Sequence, residues 1–146
     1  MNTAVPFATT LLVRDSCFCL HAQRAARALA RRFDDALRPV GLTSGQFSLL
    51  MSLNRPHPPT AGSVAELLAM DPTTLTANLK PLVRRGLVLS TVNPDDRRSR
   101  LLSLTDDGRA RLAAAVPIWE RTHAAVEEKL GEHSPAQLRA GLNALT

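Results

Sequence analysis

Aromatic side chains are scarce in this 146-residue chain. They make up 3% of it, as four Phe and one Trp, and there is no tyrosine. A core without them must come from Leu, Ala and Val, which favours helix packing. Cysteine is nearly absent: Cys17 and Cys19 are the two present. A structural disulfide is therefore not expected, and a reducing cytoplasm is. No apolar run is long enough to cross a bilayer. MNTAVPFATTLLV has no basic region before its short apolar patch, so a secretory signal is not expected either. Nucleophile elbows, phosphate loops, paired metal ligands and matched carboxylates are missing at useful spacing, which argues against an enzyme and against a bound metal or cofactor.

Basic residues, in contrast, are in excess. The formal net charge is +5 and the isoelectric point is about 10.5, so an anionic partner is expected. The surplus is local. Residues 14–39 carry six Arg against three Asp, and residues 71–105 carry six Lys/Arg against three Asp. Residues 106–146, with five Lys/Arg against six Asp/Glu, are close to neutral. The length suits one domain.

Apolar periodicity predicts a long helix over residues 14–38, with Phe18, Ala22, Ala25, Leu29 and Phe33 on one face and Arg24, Arg27 and Arg31 between them. Pro39 and Gly41 end it. Thr43 is a good N-cap for a second helix whose face is Phe47, Leu50 and Met51. NRPHPPTAG, residues 54–62, reads as a loop. Ser63 and Glu66 have capping-box spacing ahead of a short helix, VAELLAM. Asp71-Pro72 then starts another, running to Gly86. LVLSTVN and LLSLT are strand-like, joined through Asn93–Arg100. Thr105 caps a long helix with Leu112, Val116, Trp119, Val126 and Leu130 in a stripe that Pro117 should kink. Ser134-Pro135 opens the last helix, with Leu138, Leu142 and Leu145.

Two helices joined by a tight turn and followed by a hairpin give the winged helix-turn-helix layout: mainly α, with a small β-hairpin wing. Residues 43–105 are expected to form that lobe. Residues 1–42 and 106–146 would supply flanking helices whose apolar stripes meet a second copy or pack on each other. In the lobe, the helix after Asp71 suits groove reading. Thr73, Thr74, Thr76, Asn78 and Lys80 are polar, and Asn pairs well with adenine. Leu75, Leu79 and Leu82 would face the core. Arg97, Arg98 and Arg100 make the hairpin tip basic, and arginine suits a narrow minor groove. Taken singly these are ordinary surface residues; taken together they point to double-stranded DNA. A winged helix serving only protein contacts is the alternative.

LAMDPTTLTANLKPLVRRGLV followed by NPDDRRSRLLSLTDDGRARL resembles the MarR family of transcriptional regulators. The family signature is matched at Arg85-Gly86-Leu87-Val88, Asp96-Arg97-Arg98, Leu102-Ser103-Leu104-Thr105 and Gly108. The resemblance implies a homodimer joined through its first and last helices. It also implies a pseudo-palindromic operator, and usually a repressor released by a small ligand or by oxidation. Carried over by position, Arg98 would enter the minor groove, Asp96 would orient it or brace the wing, and Thr73–Lys80 would be the groove face. Lys80-Pro81 departs from a smooth reading helix, since Pro81 removes a hydrogen bond.

SCFCLH, residues 16–21, resembles the peroxide-sensing branch of the same family, with Cys17 at the reactive position. That branch holds its cysteine with tyrosines, and this chain has none. His21 stands one helical turn from Cys17. Cys17 is thus a candidate redox sensor, with inert packing as the alternative. On one continuous helix Cys17 and Cys19 would point away from each other. Cys17 with His21 supplies only two of the four ligands a zinc site needs. If the effector is a small aromatic ligand rather than a hydroperoxide, Phe18, His21, Phe47 and Trp119 are the candidate pocket residues.

Overall fold

Capping residues set most of the helix ends. In the computed structural model, which describes residues 3–146, Thr43 Oγ1 accepts from the Gln46 N–H at 3.1 Å. Gln46 Oε1 accepts from the Thr43 N–H at 3.0 Å, completing a capping box. Asp71, Thr105 and Ser134 likewise cap the helices they precede. The elements are α1 (Phe7–Ser16), α2 (Phe18–Leu37), a 3-10 turn (Arg38–Val40), α3 (Ser44–Ser52), α4 (Ala61–Leu67) and α5 (Pro72–Arg84). A hairpin of β1 (Val88–Asn93) and β2 (Asp96–Leu104) follows, then α6 (Asp106–Lys129) and α7 (Pro135–Asn143). The fold is the mainly helical, hairpin-bearing one that the sequence predicts.

Several boundaries differ from expectation. The first helix is two helices, broken at Cys17, whose ψ of 112° is extended. Ser63 is not an N-cap. Thr60 takes that role, with Oγ1 accepting from the Ser63 N–H at 3.1 Å, so α4 starts one turn early. The cause is tertiary: Thr60 bridges Leu101, and the Leu102 N–H donates to Pro59 O, which fixes the chain beside β2. On α3 the buried apolar residues are Phe47, Leu49 and Leu50, while Met51 faces out. Pro81 and Pro117 each lie inside a helix that continues past them.

One core lies in the central lobe. Leu37, Leu50, Val64, Leu75, Leu82 and Leu102 are fully buried there, drawn from α2, α3, α4, α5 and β2. Leu112 and Ala115 of α6 close it. Gly86 ends α5 with φ +72°, a left-handed conformation suited to glycine. The Leu87 N–H donates to Leu82 O and the Gly86 N–H to Val83 O, a Schellman motif that turns the chain into β1. The turn between α4 and α5 closes by the same pair of bonds, but with Ala69 at φ +50° where glycine would be unstrained.

The outer helices are much less covered. α1 buries no residue, and Val5, Phe7, Leu12 and Phe18 are exposed. Only the C-terminal part of α2 reaches the core, through Phe33 and Leu37. Leu138 and Leu142 of α7 are exposed as well. Packing of the outer stripes within one chain, one of the two expected arrangements, leaves these faces open.

Candidate nucleic-acid interface

α5 is amphipathic along its whole length. Leu75, Leu79 and Leu82 are buried, and Thr73, Thr74, Thr76, Asn78 and Lys80 are exposed. Asp71 Oδ2 accepts from the Thr73 N–H at 3.2 Å, and Pro72 occupies the first turn, so the helix has a firm start. Helical geometry puts Thr73 and Lys80 opposite the leucines, with Thr76 on one flank and Thr74 and Asn78 on the other. Asn78 leans towards the preceding turn, its Nδ2 lying 3.6 Å from Met70 Sδ. The Thr76 hydroxyl donates back to Pro72 O at 3.0 Å and keeps its acceptor lone pairs outward.

The hairpin arginines sit on β2 rather than in a loop. Val92 pairs with Arg100 but Asn93 pairs with Asp96, so Arg97, Arg98 and Ser99 are extra residues on β2 without a cross-strand partner. Such a bulge twists a hairpin and re-aims its side chains. Asn93 holds it on both sides: Oδ1 accepts from the Asp95 N–H and Nδ2 donates to Ser99 Oγ, each at 3.0 Å. Asp96 Oδ1 accepts from the Arg98 N–H at 3.1 Å and lies 3.6 Å from Arg98 Nε. The Arg98 side chain is 95% exposed and points free of the lobe.

Arg100 differs from its neighbours. Its Nε donates to Ser90 Oγ at 3.0 Å and its Nη2 to Ser90 O at 2.8 Å, tying β2 to β1. Its guanidinium is thereby committed to the hairpin, unlike those of Arg97 and Arg98. α5 and the hairpin still face one shared cleft of about 540 Å³, whose lining includes Thr76, Lys80, Arg84 and Arg100. Arg84 was not among the sequence candidates. Its signal is spacing, one turn past Lys80 and two past Thr76 on the outward face.

The four pocket candidates do not converge within one chain. Phe47 and Trp119 stack with ring centroids 6.3 Å apart, and Trp119 stacks on His123 at 4.7 Å. The first two line a cleft of about 460 Å³ with Met51 and Leu68. Phe18 is 77% exposed at the start of α2, and His21 lines a separate shallow cleft with Arg24, Arg27 and Arg31. The cause is distance along α2: Phe18 and His21 stand at its start, just after the break at Cys17, whereas only its C-terminal part, through Phe33 and Leu37, reaches the core. At that break the Cys17 Sγ accepts from the Leu20 N–H at 3.5 Å, and His21 Nδ1 lies 2.7 Å from Cys17 O rather than on the thiol. Cys17 is half-buried, Cys19 is exposed, and neither belongs to the core. The expected opposed directions of the two thiols assumed a continuous helix, which the extended Cys17 does not provide. Among the described residues no group of three or more His, Cys, Asp or Glu is placed to hold a metal ion.

A helix-turn-helix with an exposed polar second helix and a basic, bulged hairpin beside it defines the winged-helix class of DNA-binding proteins. Comparison with known proteins narrows that class. The MarR family profile matches residues 42–99. The organic hydroperoxide resistance transcriptional regulator of Bacillus subtilis (strain 168) is 32% identical over 102 residues, covering 70% of this chain and 68% of the relative. The crystal structure of the M. tuberculosis transcriptional regulator MosR in complex with DNA superposes with a TM-score of 0.81 at 37% identity, over 89% of this chain and 93% of that one. The transcriptional repressor CouR bound to p-coumaroyl-CoA superposes with a TM-score of 0.76 at 29% identity, over 88% and 90%. The chain belongs to the MarR family of transcriptional regulators.

Proposed function

We propose that the protein is a homodimeric transcriptional repressor that binds a pseudo-palindromic operator, with α5 in the major groove and the hairpin at the adjacent minor groove. The observation that carries this is the shared cleft: Thr76, Lys80 and Arg84 of α5 face the same space as the hairpin that projects Arg97 and Arg98. Thr73, Thr74 and Asn78 then meet base edges, Lys80 and Arg97 meet phosphates, and Arg98 enters the minor groove with Asp96 bracing it. Arg100 serves the same surface by holding the hairpin in place. The uncovered faces of α1, α2 and α7 supply the dimer contact, which sets two reading helices at the spacing of two half-sites. The protein works in the cytoplasm, and no described helix is long and apolar enough to cross a membrane.

Release from DNA follows from a small effector or from oxidation of Cys17. The half-buried thiol sits at the junction of α1 and α2, where a change in the sulfur alters the entry to the dimer helix. The relative named for organic hydroperoxide resistance supports oxidation, and the acyl-CoA complex of CouR supports a ligand. The test is fluorescence anisotropy with the DNA upstream of the protein's own gene, using reduced and hydroperoxide-treated protein side by side. Binding that falls steeply with salt, disappears on oxidation and returns with thiol is the expected result. Binding indifferent to oxidation moves the search to small ligands. Salt-insensitive behaviour without operator binding would instead make the hairpin a protein-contact module.

A further inference from the structure

Two guanidiniums far apart in sequence converge at the turn between α2 and α3. Arg85 Nη2, from the C-cap of α5, donates to Gly41 O at 2.8 Å. Arg111 Nη1, from α6, donates to Val40 O at 2.8 Å. A Cβ placed on Gly41 would lie 2.8 Å from Arg111 Nη1 and 3.2 Å from Arg85 Nη2, so the two nitrogens are within about 6 Å of each other. Gly41 has φ +69° and leaves the space that both side chains use. Neither guanidinium has a carboxylate partner among the described residues. Two like charges are therefore held side by side by neutral carbonyls alone.

Both open onto one cleft of about 740 Å³ between the 3-10 turn, the end of α5 and the start of α6. Arg38 lines it as well, with its charge shared with Asp35 at 2.7 Å. Asp107 is the carboxylate on the lining, and it forms no ion pair with Arg85 or Arg111. Each of these arginines spends one N–H on a carbonyl and keeps others for a ligand. Paired guanidiniums with free N–H groups match the oxygens of a phosphate group, in charge and in fork geometry.

We propose that this cleft is an anion site for a small phosphate-bearing metabolite, bridged by Arg85 and Arg111. A bound phosphate neutralises the paired charges and leaves both carbonyl bonds in place. It thereby stiffens the joint where the outer helices α2 and α6 meet the end of the reading helix α5. The site lies apart from the proposed DNA surface and from Cys17, and its test needs no DNA to be bound.

The test is thermal unfolding of the full chain in pyrophosphate against sodium chloride of equal ionic strength, each variant being compared with its own baseline. At 10 mM pyrophosphate and millimolar affinity, a rise of about 4 °C is expected for the wild-type protein. The rise should vanish in Arg85→Gln and Arg111→Gln and persist in the hairpin variant Arg97→Gln/Arg98→Gln. No rise in the wild type, a rise that survives both glutamine variants, or one that the hairpin variant abolishes overturns the proposal. A second measurement needs no variant. Pyrophosphate should move the NMR amide signals of Gly41, Arg85 and Arg111 and leave those of the hairpin tip unchanged. If these signals move with duplex DNA and not with pyrophosphate, the phosphate belongs to the DNA backbone and the metabolite site is refuted.

Discussion

Gly108 lies where α6 begins, directly against the base of the hairpin. A Cβ at this position would be driven into the carbonyl oxygen of Leu87 and would meet Leu87 C at 3.1 Å. Both atoms are backbone, so no rotamer change relieves the contact. The same Leu87 O accepts from the Thr105 N–H at 3.1 Å, and Thr105 Oγ1 accepts from the Gly108 N–H at 3.0 Å. Gly108→Ala must therefore push α6 away from Leu87 and stretch this cap. Overpacking of a tight site costs about 1–3 kcal/mol, and a weakened hydrogen bond adds about 1 kcal/mol. Alanine's better helix propensity returns about 1 kcal/mol. The net loss is about 2 kcal/mol, or a fall of about 6 °C in Tm for a chain of this size. Circular-dichroism melting at fixed protein concentration measures it. Gly62→Ala and Gly141→Ala are the controls: both glycines are helical with nothing near the added methyl. They should gain up to about 1 kcal/mol each. Gly108→Ala melting at or above the wild type, with the controls behaving as expected, would show that the α6–hairpin contact is not tight and refute the reasoning.

Arg98→Ala should leave Tm within about 1 °C, because the side chain touches little, yet weaken operator binding and lower the salt slope by about one. Unchanged affinity removes Arg98 from the interface. Cys17→Ser should bind operator normally and lose any response to hydroperoxide; a response that persists clears this residue as the sensor. Ala69→Gly should raise stability by about 0.5–1 kcal/mol by relieving the left-handed alanine in the helix-turn-helix, as read by denaturant unfolding. Phe47→Ala removes a buried ring that stacks on Trp119 and should cost about 3–5 kcal/mol, enough to lower Tm sharply.

The helix starts at Thr43, Asp71, Thr105 and Ser134 were legible because each cap is a local bargain between one side chain and the next turn's free N–H groups. Gly86 was legible for the same reason, since one left-handed residue closes the helix that precedes it. The polar face of α5 followed from helical spacing alone. Sequence spacing failed where a distant segment decided the outcome. Ser63 and Thr60 are both competent caps, and the bridge from Thr60 to Leu101 chose between them. Leu49 and Met51 are both apolar, and packing in the lobe buried the first. Nothing near Cys17 marks a break, because neither proline nor glycine is needed for an extended residue to divide two helices.

The sequence by itself determined the family, the order of elements and the charges available for an anionic partner, because these rest on local propensity and on a matched run of residues. Only the tertiary structure decided how those charges are used. It bulged Arg97 and Arg98 out of the hairpin, and it turned Arg100 inward onto Ser90. It brought Arg84 to the shared cleft, and it set Arg85 beside Arg111 across the Gly41 turn. A guanidinium's partner depends on which backbone oxygen the fold brings within about 3 Å of it, and that distance is set by packing between segments far apart in the chain.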